Sequence, residues 1–518
     1  MKLPKSAQVS KPVRRMAAVG AAAVVGATVV FGGGFATAAG AEGVATSTGI
    51  VLGVGADEAQ RVVSWYSSVG TAQVVQVVPT SKIRKGVFPA NAVTFPATVA
   101  ANTVNGGFNG HATIDGLKQN TRYSYRVGAE GAWSQTYEFQ TQRFDGNFDF
   151  LFYGDPQIGA SGNTAKDGEG WADTVSVSLA ANPHAELLVS GGDQVETANT
   201  ESQWDAFLAP DGLRSYPWAA TIGNHDVGGK AYEQHFWTPN TDRSAAYYNG
   251  AAATRSGGDY WFTYKDVLFI DLNSNAYASG SDEAHIAYVT DVIKKHGAKA
   301  EHTVLVYHHA IYSPAAHAND GDNKQRRQDF PTAFSELGVD LVLQGHDHSY
   351  SRSYEIKNGQ KANPDEQPGA TKVQQGPGGV IYVTANSASG SKYYDLTAPD
   401  TTADPDYGPD PLNPDSHWAN SVENQEHVRT YVRVRVRDGK LVVENLRSGT
   451  CAGPNAAVEL GKVDWCGPDS GATAAKPVGS VVDKVVIHTY KADKGHHGKP
   501  GKNDKPEKND QPKSSWLH

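Results

Sequence analysis

The chain has 518 residues, of which 39% are hydrophobic and 19% charged, and a formal net charge of −9. That length and apolar content suit two or three folded domains with a sizeable core. The acidic balance, with no large basic block in the central part, speaks against tight, salt-driven nucleic-acid binding.

Residues 1–38 read as a leader. Lys2, Lys5, Lys11, Arg14 and Arg15 precede an Ala/Val/Gly-rich stretch from Met16 to Phe35, and no acidic residue occurs before Glu42. Ala36-Thr37-Ala38 has the form of a cleavage site, so a secretory signal peptide cut after Ala38 is expected. The apolar stretch is long enough for an uncleaved anchor, but its glycines and small-residue exit favour cleavage. The mature chain is then extracellular, with no stable membrane insertion. The residues after Arg14-Arg15 fit the twin-arginine route poorly.

Residues 42–142 alternate apolar and polar positions in runs such as Arg61–Tyr66, Gln73–Val78 and Arg122–Val127, separated by Gly, Asn and Pro. Such patterning predicts an all-β sandwich. The segment from His111 to Gly128, with Leu117, Thr121 and Tyr123, resembles the late strands of a fibronectin type III domain. No His, Cys or carboxylate cluster marks this unit as a site.

Residues 146–450 form the second expected unit. Strand-like runs alternate with helical patterns at Ala165–Ala181 and Asp282–Lys295, which predicts an α/β class. Val380–Ala385, Thr430–Arg437 and Lys440–Leu446 read as strands closing a second sheet, and 395–420 as a loop. Residues 451–490 are a C-terminal extension carrying the chain's two cysteines, Cys451 and Cys466. Export places them in an oxidising compartment, so a disulfide is expected, stabilising by roughly 3 kcal/mol for so short a loop. Residues 491–518 mix Lys and Asp/Glu with Gly, Pro, Asn and His and read as disordered.

Five apolar runs in the second unit end in residues that bind metals. Phe148–Tyr153 leads to Asp155, and Glu186–Ser190 to Asp193. Trp218–Ile222 leads to Asn224-His225-Asp226, Thr303–Tyr307 to His308-His309, and Asp340–Gln344 to His346-Asp347-His348. Runs of this length read as buried strands, and α/β sheets place ligands beyond the carboxyl ends of strands. Two Asp, one Asn and three His at one place suffice for two divalent or trivalent ions.

In this order, Asp155, Asp193, Asn224-His225, His308 and His346-Asp347-His348 resemble the calcineurin-like metallophosphoesterases. The unit in front makes the chain similar to the purple acid phosphatase branch. The resemblance covers residues 42–450. It implies an N-terminal sandwich before a two-sheet α/β domain flanked by helices, and two metal ions (Fe, Mn or Zn). Asp193 would bridge both ions, Asp155 and His348 would hold the first, and Asn224, His308 and His346 the second. His308 is preferred to His309 because the family pattern is His-x-x-x-Tyr, which His308 and Tyr312 satisfy. His225 would stabilise charge on a phosphoryl group or assist the leaving group, and His317 would be a second catalytic histidine. Arg352 reads as structural, and the remaining histidines as surface or satisfied core residues.

Two positions depart from the family. The first motif reads Asp155-Pro156-Gln157 where many members have Asp-x-His. The second reads Asp193-Gln194-Val195-Glu196 where purple acid phosphatases place a tyrosine on ferric iron. Gln157, Glu196 or water remains open as the first ion's third ligand. The implied activity is hydrolysis of small phosphate monoesters by a metal-bound hydroxide. The alternatives are a phosphodiesterase or nucleotidase on the same site, or a non-catalytic secreted metal-binding protein.

Overall fold

In the computed structural model, residues 45–243, 248–277, 280–449 and 476–490 are described. The leader expected at 1–38, the Cys451–Cys466 pairing and the tail from 491 lie outside them.

The N-terminal runs pair into two antiparallel layers. Thr98–Ala101, Phe108–Ile114, Arg61–Ser67 and Ser47–Val54 form one. Val93–Pro96, Val74–Pro79, Arg122–Ala129 and Ala132–Trp133 form the other, with Tyr137–Gln140 also on Arg122–Ala129. Ile50, Leu52, Val63, Trp65, Val75, Val77, Tyr125 and Val127 fill the space between them. The Trp65 indole N–H donates to Gln73 at 2.8 Å, so this core leaves no orphaned ring nitrogen there.

The first layer does not stop at the sandwich. Gly53 pairs in parallel with Trp218, joining it to the following unit in one eleven-stranded sheet. Arg61–Ser67 is therefore buried along its whole length, where alternation predicts one wet face. Its outer side meets helical segments of the second unit. The Tyr66 ring stacks on His235 with centroids 4.3 Å apart, and its hydroxyl donates to Glu201 Oε1 at 2.9 Å. Tyr66 is 6% exposed. Tyr66→Ala should thus cost about 3–5 kcal/mol, the range for a buried aromatic truncated to alanine. The urea midpoint of the variant against wild type reads this directly, and a change below ~1 kcal/mol would contradict tight packing at this junction.

Beyond the junction the large sheet continues through Trp218–Ala219, Ala185–Ser190 and Phe148–Tyr153, all parallel. Thr430–Arg437, Lys440–Arg447 and Val481–His488 then follow antiparallel, with Lys372–Gln374 at the edge. A seven-stranded sheet faces it. Its centre is Val267–Leu272, His302–Tyr307, Leu341–Gln344 and Ile381–Thr384, all parallel. Phe150, Phe152, Leu187 and Val189 meet Phe269, Val304, Val306 and Leu343 between the sheets.

Helices cover the outer faces. Thr164–Ala181 and Glu201–Leu208 lay Trp171, Trp204 and Phe207 against Tyr153, Leu188 and Trp218. Ser281–His296 and Gly321–Glu336 lay Val289, Phe330 and Phe334 against Leu268, Leu305 and Val342. Central strands buried on both faces need apolar residues at every position, which is why the runs are continuous. The fold is an all-β sandwich followed by an α/β sandwich flanked by helices.

One expectation needs correction. The three late strands do not close one sheet together. Ile381–Thr384 extends the seven-stranded sheet beside Leu341–Gln344, whereas Thr430–Arg437 and Lys440–Arg447 join the other beside Phe148–Tyr153. The hydrophobic pattern fixes which face is buried and leaves the partner strand open. Among the described residues no helix is long and apolar enough to cross a membrane.

Candidate metal centre

The five strand ends converge. Asp155, Asp193, His346 and His348 all sit at positive φ (27°, 45°, 73° and 44°), a region that costs non-glycine residues energy and clusters at functional sites. Glycines make room. Gly192 has φ 97°, and a Cβ there would run into His308 Nδ1. A Cβ on Gly345 would lie 2.5 Å from both Asp155 Oδ2 and the Gly191 carbonyl.

Backbone groups hold the carboxylates. The His346 N–H donates to both Asp155 oxygens at 2.9 and 2.8 Å, and the His225 N–H donates to Asp193 Oδ1 at 2.8 Å. His308 Nδ1 lies 2.8 Å from the Gly191 carbonyl, and His348 Nδ1 lies 3.0 Å from the Lys392 carbonyl. A carbonyl only accepts, so each Nδ1 carries a proton, which leaves Nε2 as the atom that can face an ion.

Around His308 Nε2 three further acceptors crowd together. Asn224 Oδ1 is at 2.9 Å, His346 Nδ1 at 3.1 Å and Asp193 Oδ2 at 3.2 Å. The ligand atoms of Asp193, His308 and His346 lie within 4.8 Å of one another. Protons on the two rings serve at most part of such a cluster, whereas one cation serves every lone pair at once. Next to this cluster, His348 Nε2 stands 3.8 Å from Asp155 Oδ1. Carboxylates, an amide oxygen and imidazoles in this arrangement fit the ions that the resemblance implies.

Electrostatics point the same way. Burial, with the neighbouring imidazoles, holds His346 well below the ordinary histidine range, and burial brings His348 down to about 3. Both rings are therefore neutral, as ligands must be. Burial pushes Asp155 well above the usual carboxylate range. Burial also pulls His308 down, but Asp193 and Asp155 outweigh it and raise the ring to about 9. The cluster holds positive charge at His308 when nothing else supplies it.

The neighbouring residues divide cleanly. His309, next to His308 on the strand end, turns away. Its Nδ1 bonds Ser274 Oγ at 2.8 Å, and its ring packs 4.5 Å from that of His346. His225 is 30% exposed, with Nδ1 on the Glu196 carbonyl at 2.8 Å. His317 stacks on His346 with centroids 3.9 Å apart and bonds Asp320 Oδ2 at 2.7 Å. Gln157 Nε2 donates to Glu196 Oε2 at 2.7 Å. Arg352 lies away from these groups in a buried pair with Asp483, Nε to Oδ2 2.6 Å.

Sequence reasoning missed four supporting residues. Asp226 accepts the Gly223 N–H at 2.9 Å and the Gln194 N–H at 3.1 Å, tying two ligand loops together. Asp347 accepts from Ser313 Oγ at 2.7 Å and from the Ala315 N–H at 3.1 Å, shaping the loop that carries His317. Both lie inside the quoted motifs, so their position was the signal. Lys392 supplies the carbonyl that orients His348. The Tyr394 ring makes T-shaped contacts with His317 and His348, at centroid distances of 5.2 and 5.3 Å. Nothing in the polar loop sequence around them marks either.

An α/β sandwich with this donor set beyond its strand ends can hold metal ions there. Residues 148–350 match the calcineurin-like phosphoesterase family, and residues 48–141 match the family described as purple acid phosphatase, N-terminal domain. The chain thus carries a calcineurin-like phosphoesterase domain behind an N-terminal domain of the purple acid phosphatase type. Purple acid phosphatase 21 of Arabidopsis thaliana is 26% identical over 50% of this chain and 56% of its own. Purple acid phosphatase 1 of Ipomoea batatas is 24% identical over 57% and 62%. The matches thus span little more than half the length of these curated relatives. A purple acid phosphatase from yellow lupin (Lupinus luteus) seeds superimposes with a TM-score of 0.61 at 17% identity, over 86% of this chain and 74% of that one, which shows the fold.

Proposed function

We propose that the protein is an exported hydrolase of small phosphate monoesters that works with two metal ions. The observation that carries the reading is the crowding of acceptor atoms on His308 Nε2, beside a second set at Asp155 and His348. In the proposed assignment Asp193 bridges, Asp155 and His348 hold the first ion, and Asn224, His308 and His346 the second. Two such ions, when bound, supply Lewis acidity toward the phosphoryl oxygens and a water activated near neutral pH.

The chain's own residues do the rest. Asp155 and Asp193 are fixed by backbone N–H groups, so the carboxylates need little reorganisation when substrate arrives. His225 keeps its Nδ1 proton on the Glu196 carbonyl and offers Nε2 to stabilise phosphoryl charge or to exchange a proton with the leaving group. His317, held by Asp320 and by stacking on His346, offers a second imidazole at the rim. The basic, Ala/Val/Gly-rich segment of residues 1–38 supports export.

The test pairs elemental analysis of protein purified without chelators with assays on an aryl monoester, a diester and a nucleotide. Two ions per chain and the highest kcat/KM on the monoester are expected. A diester or nucleotide preference would move the reading to a phosphodiesterase or nucleotidase. An active protein with one ion or none would overturn the dinuclear assignment.

Colour gives a further expectation. Glu196 stands where a tyrosine would give iron a phenolate ligand. The iron-loaded protein should therefore be colourless or pale. A strong visible charge-transfer band would show that another tyrosine reaches the metal.

A further inference from the structure

We infer that Gln157 is a metal ligand of this chain and that Glu196 is not: Gln157 Oε1 completes the first ion's set, while Glu196 orients the amide from behind. The inference rests on the dinuclear reading above.

Gln157 is 1% exposed and sits at φ 34°, two residues after Asp155. Its backbone N–H donates to the Asp193 carbonyl at 2.8 Å. The next residues continue the link, with Ile158 N–H on the Gln194 carbonyl at 3.1 Å and Glu196 N–H on the Ile158 carbonyl at 3.0 Å. The loops bearing Asp155 and Asp193 are thus stitched together, and Gln157 lies within the stitch. Its side chain is placed by that backbone rather than by its own freedom.

The amide has two ends with different fates. Nε2 donates to Glu196 Oε2 at 2.7 Å. A carboxylate only accepts, so this contact fixes which end is nitrogen. Oε1 is left buried with no hydrogen-bond partner. A buried acceptor without a partner is unfavourable, and an ion held beside it removes the deficit. Gln194, beside Asp193, also has an unpartnered Oε1. Its Nε2 bonds Ser190 Oγ and the Thr221 carbonyl, back toward the strands. Gln157 differs in that its own backbone N–H bonds the carbonyl of a candidate ligand, Asp193, whereas the Gln194 N–H goes to Asp226.

One oxygen of Glu196 is already engaged. Its side chain is 35% exposed, and Oε2 is shared between Gln157 Nε2 and His225 Nδ1, the latter at 3.5 Å. A neutral amide oxygen in the set adds a ligand without adding charge, and it favours hard, oxygen-preferring ions such as Mn over Zn at this position.

The test measures metal per chain after dialysis, and affinity by competition titration, on wild type, Gln157→Leu, Gln157→His, Glu196→Gln and Glu196→Leu. Gln157→Leu should lose one ion of two, with affinity down more than ~100-fold. Gln157→His should keep two and shift preference toward Zn. Glu196→Gln should stay near wild type, since its amide oxygen still accepts from Nε2. Glu196→Leu should weaken binding ~10–100-fold, the usual cost of losing an orienting partner. Unfolding midpoints taken metal-free separate folding defects from ligand loss. The assignment is overturned if Gln157→Leu retains both ions at wild-type affinity, or if Glu196→Gln empties the site while Gln157→Leu does not. A wild type holding fewer than two ions would instead overturn the dinuclear reading itself.

Discussion

In the proposed dinuclear centre, Asp193→Ala should empty both metal positions and lower activity by more than ~10²–10³-fold, the order that a single misplaced electrostatic group costs. Its two oxygens already serve different sides. Oδ2 is 3.2 Å from His308 Nε2, while Oδ1 receives the His225 N–H at 2.8 Å. A carboxylate placed this way can hold two cations about 3.5–4 Å apart. Burial alone would raise its pKa, but His308 outweighs burial and holds it at about 2, so the group is ionised across the working range. Asp193→Asn keeps an acceptor for the His225 N–H while removing the charge. Metal analysis on both variants should show no ions for Ala and at most one for Asn. Metal-free unfolding midpoints close to wild type would establish that the loss lies at the site. Two ions retained in Asp193→Ala would remove the bridging role.

The strand ends were legible because both faces of the central strands are covered. Phe148–Tyr153 and His302–Tyr307 meet the opposing sheet on one side and helices on the other, so their apolar runs are unbroken and stop where the ligands begin. The third run was legible but overextended. Only Trp218–Ala219 stays in the sheet, and the backbone leaves it before Gly223 to bring Asn224 toward His308.

The junction of the two units was not legible. It depends on one parallel register, Gly53 with Trp218, and main-chain pairing carries no side-chain signal. Likewise the burial of Arg61–Ser67 on both sides needed the partner surface to be in place. The choice of His308 over His309 also lay beyond the local pattern. Adjacent residues at a strand end point to opposite sides, so only one can face Asp193, and the family pattern, not periodicity, indicated which. Gln157 and Glu196 stayed open for a related reason. Which end of an amide meets a carboxylate is a tertiary fact, set here by the contact of Nε2 with Glu196.

Three single substitutions on this surface separate metal binding from catalysis. His225→Ala removes the imidazole but keeps the backbone N–H that positions Asp193, so metal content should stay near two per chain. Its kcat should fall ~10²–10⁴-fold, the worth of a positioned acid or charge stabiliser, with KM changed far less. His308→Ala removes the atom on which Asn224, Asp193 and His346 converge. It should lose the second ion and activity together, and added metal should restore neither at moderate concentration. His309→Ala removes a bond to Ser274 and packing against His346, neither of which touches the carboxylates. Burial keeps His309 neutral, its pKa held well below the ordinary range, so no charge is lost with it. That variant should keep both ions and much of its activity, at the cost of some stability. Metal content and kcat measured side by side on the three proteins decide the assignment. If His309→Ala emptied the site and His308→Ala did not, the ligand on that strand end would move by one residue, and the facing of Asn224 and Asp193 toward His308 would have to be explained by packing alone.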